Sequence, residues 1–378
     1  MKGKKAFLTS LLLLFLLGIE SGGFQISLLN IAKHFGLWGI ENGSLVAAQY
    51  SAIIMMPFLF GLVAERAGKT KILRIFCLVF VAGCAVVISA RSYFILLLGI
   101  FMIGSGYSVC ESLVSAVLTE QYPKKAGRYL NLVQGAFSMG AVTGPHLISW
   151  AGKQAAGWNI LFYICGIGFV FLWAVLFYMR RDRYAGVKEN ENHSKGASKF
   201  PPVFYLLAVS FFLYGGMEVG VSYFIDSYMR LELNGTELSA WAVSLFWLSM
   251  VPARLASGVF YRYRWFLLPS CFIFSVPVLL GIAAAENKES GLILFSILGF
   301  LLGTLWPNLM GTATQDYKER ASVAAGIMSA GCGLGAVSFP LLFGKLTEGA
   351  GLRSGFLMLA VCGMMGGMLC VIYWRRGR

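Results

Sequence analysis

Twelve long runs of apolar residues follow one another along the chain, separated by short polar segments that are rich in Lys and Arg. A helix that spans a lipid bilayer needs about 20 predominantly apolar residues. The runs that meet this length cover residues 6–33, 44–64, 72–90, 93–119, 129–152, 158–179, 203–229, 238–260, 265–285, 290–313, 321–346 and 352–374. The pattern predicts an all-α membrane protein with twelve transmembrane helices.

One polar segment is much longer than the others and divides these spans six and six. It reads RRDRYAGVKENENHSKGASK at residues 180–199, which is too short for a domain and typical of a solvated linker. We therefore predict an N-terminal six-helix half over residues 1–179, a cytoplasmic linker over residues 180–202 and a C-terminal six-helix half over residues 203–378.

Three short sequences of the first half recur in the second half at a nearly constant offset. GAVTGP at 140–145 returns as GAVSFP 195 residues later, and LGIFMIG at 98–104 returns as LGFLLG after 200 residues. A weaker echo links GLVAER at 61–66 with GVFYRYR at 258–264. Repeats of this kind are typical of secondary transporters, so we expect two pseudo-symmetric halves.

The basic residues indicate an orientation in the membrane. The chain has a net charge of +14, but its Lys and Arg lie between apolar runs, which argues against a nucleic-acid surface. With both termini in the cytoplasm, 23 of them fall on the inner side and 7 on the outer side, as the positive-inside rule requires. We expect an uncleaved first span, since no small-residue cleavage site follows it.

The loop after span 2 carries a recognisable motif. GLVAERAGKTK at 61–71 resembles the signature G-x-x-x-[DE]-R-x-G-[RK]-[RK] of the major facilitator superfamily, with Thr70 departing from it. The resemblance implies the major facilitator fold and a gate on the cytoplasmic face. The gate residues expected are Gly61, Glu65, Arg66, Gly68 and Lys69, together with Arg254 near the inner end of span 8.

Acidic side chains within the spans are few, and three of them, Glu20, Glu111 and Glu218, lie near mid-depth. Charge in the membrane interior is costly, and burial without a counter-charge favours the neutral form of a carboxyl group. A group of this kind can load and release a proton, so we predict that these three couple transport to protons. The alternative is a neutral, hydrogen-bonded structural role. A fourth acid, Asp226, is expected to form a local surface ion pair with Arg230.

A closer resemblance covers most of the chain. CESLVSAV at 110–117, RYLNLVQGAFSMGAV at 128–142, YGGMEVGVSYFIDSYM at 214–229 and SLFWLSMVPARLASG at 244–258 look like the fucose–glucose–galactose:proton symporter family. The resemblance implies that Glu111 belongs to the sugar and proton site and that Gln134 is a sugar ligand. Phe137 and Gln25 depart from it, because the family's fucose carriers have Asn and Asp there.

Polar and aromatic side chains near mid-span could line a central cavity for a sugar, which needs hydrogen-bonding partners and an aromatic platform. For Tyr and Trp the alternative is a place in the interfacial belts of the membrane. The candidate substrate-binding residues are Gln25, Tyr107, Gln134, Tyr223, Trp247, Trp306 and Asn308.

The leading hypothesis is a secondary transporter that moves a small polar solute, with a monosaccharide the first choice, by proton symport with alternating access. One alternative is proton-antiport efflux of a drug-like or other hydrophobic metabolite, which Phe137 and the Met- and Phe-rich spans favour. Another is a sensor or scaffold that does not transport. We expect a monomer in a bacterial-type inner membrane whose partners are its solute, protons and lipid. The sequence shows no catalytic pair, nucleotide loop or metal-ligand spacing, so we predict no enzyme activity and no cofactor beyond the proton gradient.

Overall fold

The computed structural model describes residues 2–122, 126–151, 157–178, 200–317 and 321–376. Within these residues all regular structure is helical, with thirteen α-helices and two short 3₁₀ turns. The α-helices are α1 (Lys2–Phe35), α2 (Ile40–Ala67), α3 (Lys69–Ile88), α4 (Tyr93–Gln121), α5 (Ala126–Ala151), α6 (Ile160–Tyr178), α7 (Pro202–Ser222), α8 (Ile225–Leu231), α9 (Thr236–Val259), α10 (Arg264–Ala284), α11 (Lys288–Asp316), α12 (Ala321–Ala350) and α13 (Leu352–Arg376).

The helices form because an apolar chain in lipid has to satisfy its backbone hydrogen bonds within itself. Polar side chains cap the N-termini of some of these helices. The Ser92 hydroxyl accepts a hydrogen bond from the Ile95 amide before α4, and Asn287 Oδ1 accepts one from the Ser290 amide before α11. Prolines lie inside α2, α5, α9, α10, α11 and α12, as membrane helices tolerate.

Twelve of the helices are long, and they occupy the twelve predicted spans in order. Over the described residues, ten helices are long and apolar enough to cross a membrane, and α2 and α5 are the two long helices outside that set. The prediction of an all-α membrane protein is confirmed. Residues 180–199 of the predicted linker lie outside the described residues.

The predicted span 203–229 is the one that differs, because the structure divides it into α7 and the seven-residue α8. The chain turns at Tyr223 and Phe224, whose amides donate to the carbonyls of Val219 and Val221. The first hydrogen bond spans four residues and the second spans three, so the helix tightens at this point. Neither Pro nor Gly lies at positions 221–225, so the sequence pattern does not predict this break.

Packing divides the chain into two compact units. The first contains Met1–Gly36 and Ala48–Asn190, and the second contains Leu37–Ala47 and Glu191–Arg378. The first turns of α2 therefore group with the second unit. There Glu348 of α12 accepts a hydrogen bond from the Ile40 amide at 2.8 Å and so caps the start of α2.

The two units pair their helices in the same way. In the first unit α1 packs on α5 and α6, and α3 packs on α4 and α6. In the second unit α7 packs on α12 and α13, and α10 packs on α11 and α13. The echoed glycines take equivalent places, because a Cβ on Gly140 would collide with the Phe15 carbonyl of α1 and one on Gly335 with the Phe212 carbonyl of α7. The prediction of two similar halves is confirmed.

Candidate functional site

The first unit buries a carboxylate between two helices. Glu20 of α1 is only 1% exposed, and Gln49 of α2 donates a hydrogen bond from Nε2 to its Oε1 at 2.8 Å. The second oxygen, Oε2, accepts no hydrogen bond from the described residues. A buried polar atom usually has a partner. Glu20 is therefore anchored on one side and has acceptor capacity to spare on the other.

A second carboxylate of this unit lies on α4. Gln134 of α5 donates from Nε2 to Glu111 Oε1 at 3.4 Å. Tyr107 lies one helical turn before Glu111 on the same face of α4, and it interacts electrostatically with Glu111, Glu20 and Tyr50. The sequence-predicted residues Glu20, Glu111, Tyr107 and Gln134 thus belong to one polar cluster.

Gln49 and Tyr50 are members of this cluster that sequence reasoning missed. The signal was available, because Gln49 is a polar amide in the middle of the apolar run SLVAAQYSAII at 44–54. Gln49 is uncharged, so it is not among the charged residues by which the proton-coupling candidates are selected. An amide in the membrane interior nevertheless needs a hydrogen-bond partner, and here that partner is Glu20.

The second unit carries its carboxylate in a different setting. Tyr214 of α7 donates its hydroxyl to Glu218 Oε1 at 2.6 Å, and Arg254 Nη2 of α9 lies 3.6 Å from the same oxygen. The sequence predicts Arg254 near the inner surface, which leaves all three mid-depth carboxylates without a basic partner. For Glu218 that expectation is wrong, because α9 turns Arg254 toward α7. The gate role predicted for Arg254 stays a prediction.

The ion pair expected between Asp226 and Arg230 is present, with 2.8 Å between Oδ1 and Nε. Its predicted surface location is wrong, because the Asp226 side chain has no exposed area. The break before α8 accounts for the difference: it starts a new helix at Ile225, whose first residues are buried.

The remaining candidate ligands are scattered between buried and exposed positions. Gln25, Tyr223 and Asn308 are buried, Trp247 is half-buried, and Trp306 is 45% exposed. Asn308 donates a hydrogen bond from its amide to the Thr304 carbonyl of its own helix. Of the two candidate ligands on α11, Asn308 is buried and Trp306 is exposed. The Trp306 ring lies beside that of Phe211 of α7, with ring centroids 6.2 Å apart.

Part of the predicted gate can be placed. Gly68 is the single residue between α2 and α3, and its φ of +94° is a conformation that favours glycine. Lys69 begins α3. Gly61, Glu65 and Arg66 lie outside the residues whose side chains the structure describes. Over the described residues, no group of three His, Cys, Asp or Glu side chains is placed to hold a metal ion.

Comparison with known proteins gives the same fold. The sequence model of the Major Facilitator Superfamily matches residues 10–327. A Helicobacter pylori protein named "putative glucose/galactose transporter" is 22% identical over 89% of this chain and 87% of its own length. The glucose transporter GlcP of Staphylococcus epidermidis is 23% identical over 49% of this chain and 42% of its own length.

Two solved transporter structures have the same fold as this chain. A bacterial homologue of the human lysosomal transporter Spinster superposes with a TM-score of 0.83 at 14% identity, covering 98% of this chain and 96% of its own. The nucleoside transporter NupG superposes with a TM-score of 0.76 at 16% identity, covering 98% of this chain and 99% of its own.

Proposed function

This chain belongs to the Major Facilitator Superfamily, and from that premise we propose that it carries a monosaccharide together with a proton by alternating access. It is a multi-pass membrane transporter. The proposal further places it in a bacterial inner membrane with both termini in the cytoplasm. The names of its relatives, a glucose/galactose transporter and a glucose transporter, support a sugar as the cargo.

The observation that carries the proposal is the contact between Gln134 and Glu111. An amide and a carboxylate 3.4 Å apart offer both donors and acceptors, which is the combination that sugar hydroxyls require. Gln134 is exposed while Glu111 is half-buried, so a ligand can reach the pair from one side. The same carboxylate can take up a proton when no cation faces it.

Proton coupling is supported by the surroundings of Glu20 and Glu111. Among the described residues neither forms an ion pair, and each accepts a hydrogen bond from a neutral glutamine amide. Intramembrane carboxylates without a cation are the groups that serve as proton sites in transporters. We therefore assign proton binding to the first unit.

Uptake into proteoliposomes tests this function. A symporter that moves one proton with each sugar can accumulate D-galactose about 100-fold in a pH gradient of two units, since every 1.4 kcal/mol is a factor of ten. Glu111→Gln should abolish this accumulation while exchange of labelled for unlabelled sugar survives. Glu289→Gln, which neutralises an exposed acid at the start of α11, is the matched control and should accumulate sugar normally. Normal accumulation by Glu111→Gln would contradict the coupling role.

A second candidate, proton-driven efflux of a hydrophobic compound, is favoured by one residue. Phe137 lies one turn after Gln134 on α5 and is half-buried, so an apolar ring neighbours the polar pair. The two functions differ in what binds the purified protein, because a ligand that binds only the folded state raises its melting temperature. Sugars should stabilise a symporter, and lipophilic cations should stabilise the efflux carrier.

A further inference from the structure

Two side chains on different helices hold Glu218 by the same oxygen. The Tyr214 hydroxyl, one turn earlier on α7, donates to Oε1 at 2.6 Å, and Arg254 Nη2 of α9 lies 3.6 Å from it. Hydrogen bonds to an ionised carboxylate are short and strong. The hydrogen bond from Tyr214 and the charge of Arg254 act on the same oxygen and so orient the rest of the carboxylate, while Arg254 Nη2 itself donates to Met250 Sδ at 3.7 Å.

The other oxygen of Glu218 is open. Oε2 accepts no hydrogen bond from the described residues, and the side chain keeps 15% of its surface exposed. Each oxygen of a carboxylate can accept about two hydrogen bonds. Glu218 is therefore an oriented acceptor with room for a hydroxyl donor from a ligand.

The neighbours of Glu218 argue against a proton as its ligand. The ionisable groups that face it in the described part of the chain are Tyr214 of α7, Arg254 of α9 and the Cys332 thiol of α12. Only Arg254 carries a charge. Protonating Glu218 would remove its attraction to the guanidinium 3.6 Å away, so Arg254 favours the ionised form of Glu218.

An aromatic path leads from this carboxylate to an exposed indole. The ring of Tyr214 stacks on Phe211 at 5.6 Å, and Phe211 contacts Trp306, whose side chain is 45% exposed. Ligand sites typically combine apolar or aromatic surface with a few oriented polar groups. The second unit provides both within one set of contacting residues on α7, α9 and α11.

We propose that Glu218 binds a sugar hydroxyl as half of an ion pair, and that Arg254 and Tyr214 are the positioning residues that hold it. The carried proton then binds in the first unit alone. This departs from the sequence-based prediction, which grouped Glu218 with Glu20 and Glu111 as proton-coupling residues. The inference rests on the monosaccharide transport proposed above and deepens it by adding a sugar ligand in the second unit that does not exchange the carried proton.

The first test separates sugar affinity from proton coupling in the full-length chain in proteoliposomes. Exchange of labelled D-galactose without any gradient gives KM, and accumulation in a pH gradient at saturating sugar gives coupling. Glu218→Gln should raise KM about tenfold, the effect of losing one hydrogen bond to a charged group, while accumulation stays near the wild-type level. An unchanged KM combined with lost accumulation would overturn the proposal.

The second test addresses Arg254 and Tyr214. Arg254→Met leaves Glu218 without its counter-charge, so it should impair exchange more than the double variant Glu218→Gln/Arg254→Met does. Losses that simply multiply in the double variant would show that the two residues are not coupled and would overturn the positioning role. Tyr214→Phe should raise KM severalfold at an unchanged maximal rate, whereas Tyr205→Phe, an exposed tyrosine of the same helix, should leave KM unchanged.

The wild-type protein distinguishes failure of this inference from failure of the proposed function. If it exchanges neither D-galactose nor D-glucose, monosaccharide transport is wrong and the role of Glu218 as a sugar ligand is wrong with it. If it exchanges either sugar and Glu218→Gln does so with wild-type KM, transport stands and only the assignment of Glu218 falls.

Discussion

In the first unit Glu20 and Glu111 each accept a hydrogen bond from a glutamine amide, whereas in the second unit Glu218 lies beside a guanidinium. The helices α1, which carries Glu20, and α7, which carries Glu218, pack on equivalent neighbours in the two units. The same scaffold therefore places carboxylates in two electrostatic settings. A neutral neighbour leaves a carboxyl group able to exchange a proton, while a cation ties it to an ion pair. The difference teaches that two copies of one fold can give a carboxylate different chemistry, proton exchange in one copy and ion pairing in the other.

The largest effect is expected where the first unit loses a proton site. Glu20→Gln keeps an oxygen that can accept the hydrogen bond from Gln49, so folding should be preserved. Accumulation of D-galactose in a two-unit pH gradient should fall from about 100-fold to none, a loss of about 2.7 kcal/mol of driving force. Gradient-driven uptake together with gradient-free exchange measures this. If the variant accumulates D-galactose as well as the wild type does, Glu20 does not bind the carried proton, and Glu111 is the remaining proton site of the first unit.

The next effect tests whether the scaffold is equivalent in the two units. Gly140→Ala and Gly335→Ala each force a methyl group against a backbone carbonyl of the neighbouring helix. Overpacking of this kind typically costs 1–3 kcal/mol, and we expect about 2 kcal/mol of unfolding free energy from each variant. Thermal unfolding in detergent measures both.

Gly135→Ala is the control for this pair, because a Cβ at Gly135 would meet nothing within 4 Å. It should unfold at the wild-type temperature or slightly above it, because alanine favours a helix interior more than glycine does. If only one of the two glycine variants loses much unfolding free energy, the two units pack differently. The carboxylates of the two units would then not lie in equivalent structures and could not be compared directly.

The sequence was sufficient for the fold because span length and apolar content are local properties. Twelve runs, three internal echoes and one long polar segment predict twelve long helices in two similar halves, as the structure has them. The pairing of Glu218 with Arg254 could not be predicted in this way. It depends on how α7 and α9 rotate toward each other, and a shift of one residue turns a helical side chain by about 100°.

The site in the first unit was only partly predictable for the same reason. Glu20, Tyr107, Glu111 and Gln134 stand out by chemical type, but which of them meet depends on the packing of α1, α2, α4 and α5. Gln49 shows this best, because it becomes important through its hydrogen bond to Glu20 on another helix. The break at Tyr223 is likewise a property of the packed structure, since neither Pro nor Gly lies at positions 221–225.

A smaller effect separates the two amide partners within the first unit. Gln49→Leu removes the donor from a carboxylate that is 1% exposed, so it should lower the unfolding free energy by about 1.5 kcal/mol. Gln134→Leu removes a longer and exposed hydrogen bond to Glu111 and should cost clearly less. Thermal unfolding of both variants measures the difference. Equal losses would mean that burial does not distinguish Glu20 from Glu111.

The smallest effect concerns an ion pair at the protein surface, which sharpens the contrast with Arg254. Lys288 and Glu237 are in contact at the starts of α11 and α9, and the Glu237 side chain is 58% exposed. Exposed pairs contribute little because water screens them and both side chains lose freedom. Lys288→Ala should therefore leave both the unfolding temperature and sugar exchange unchanged, whereas Arg254→Met should lower both. If the two variants lose the same stability, the ion pair of Glu218 is an ordinary surface contact, and the distinction between the two units rests on the first unit alone.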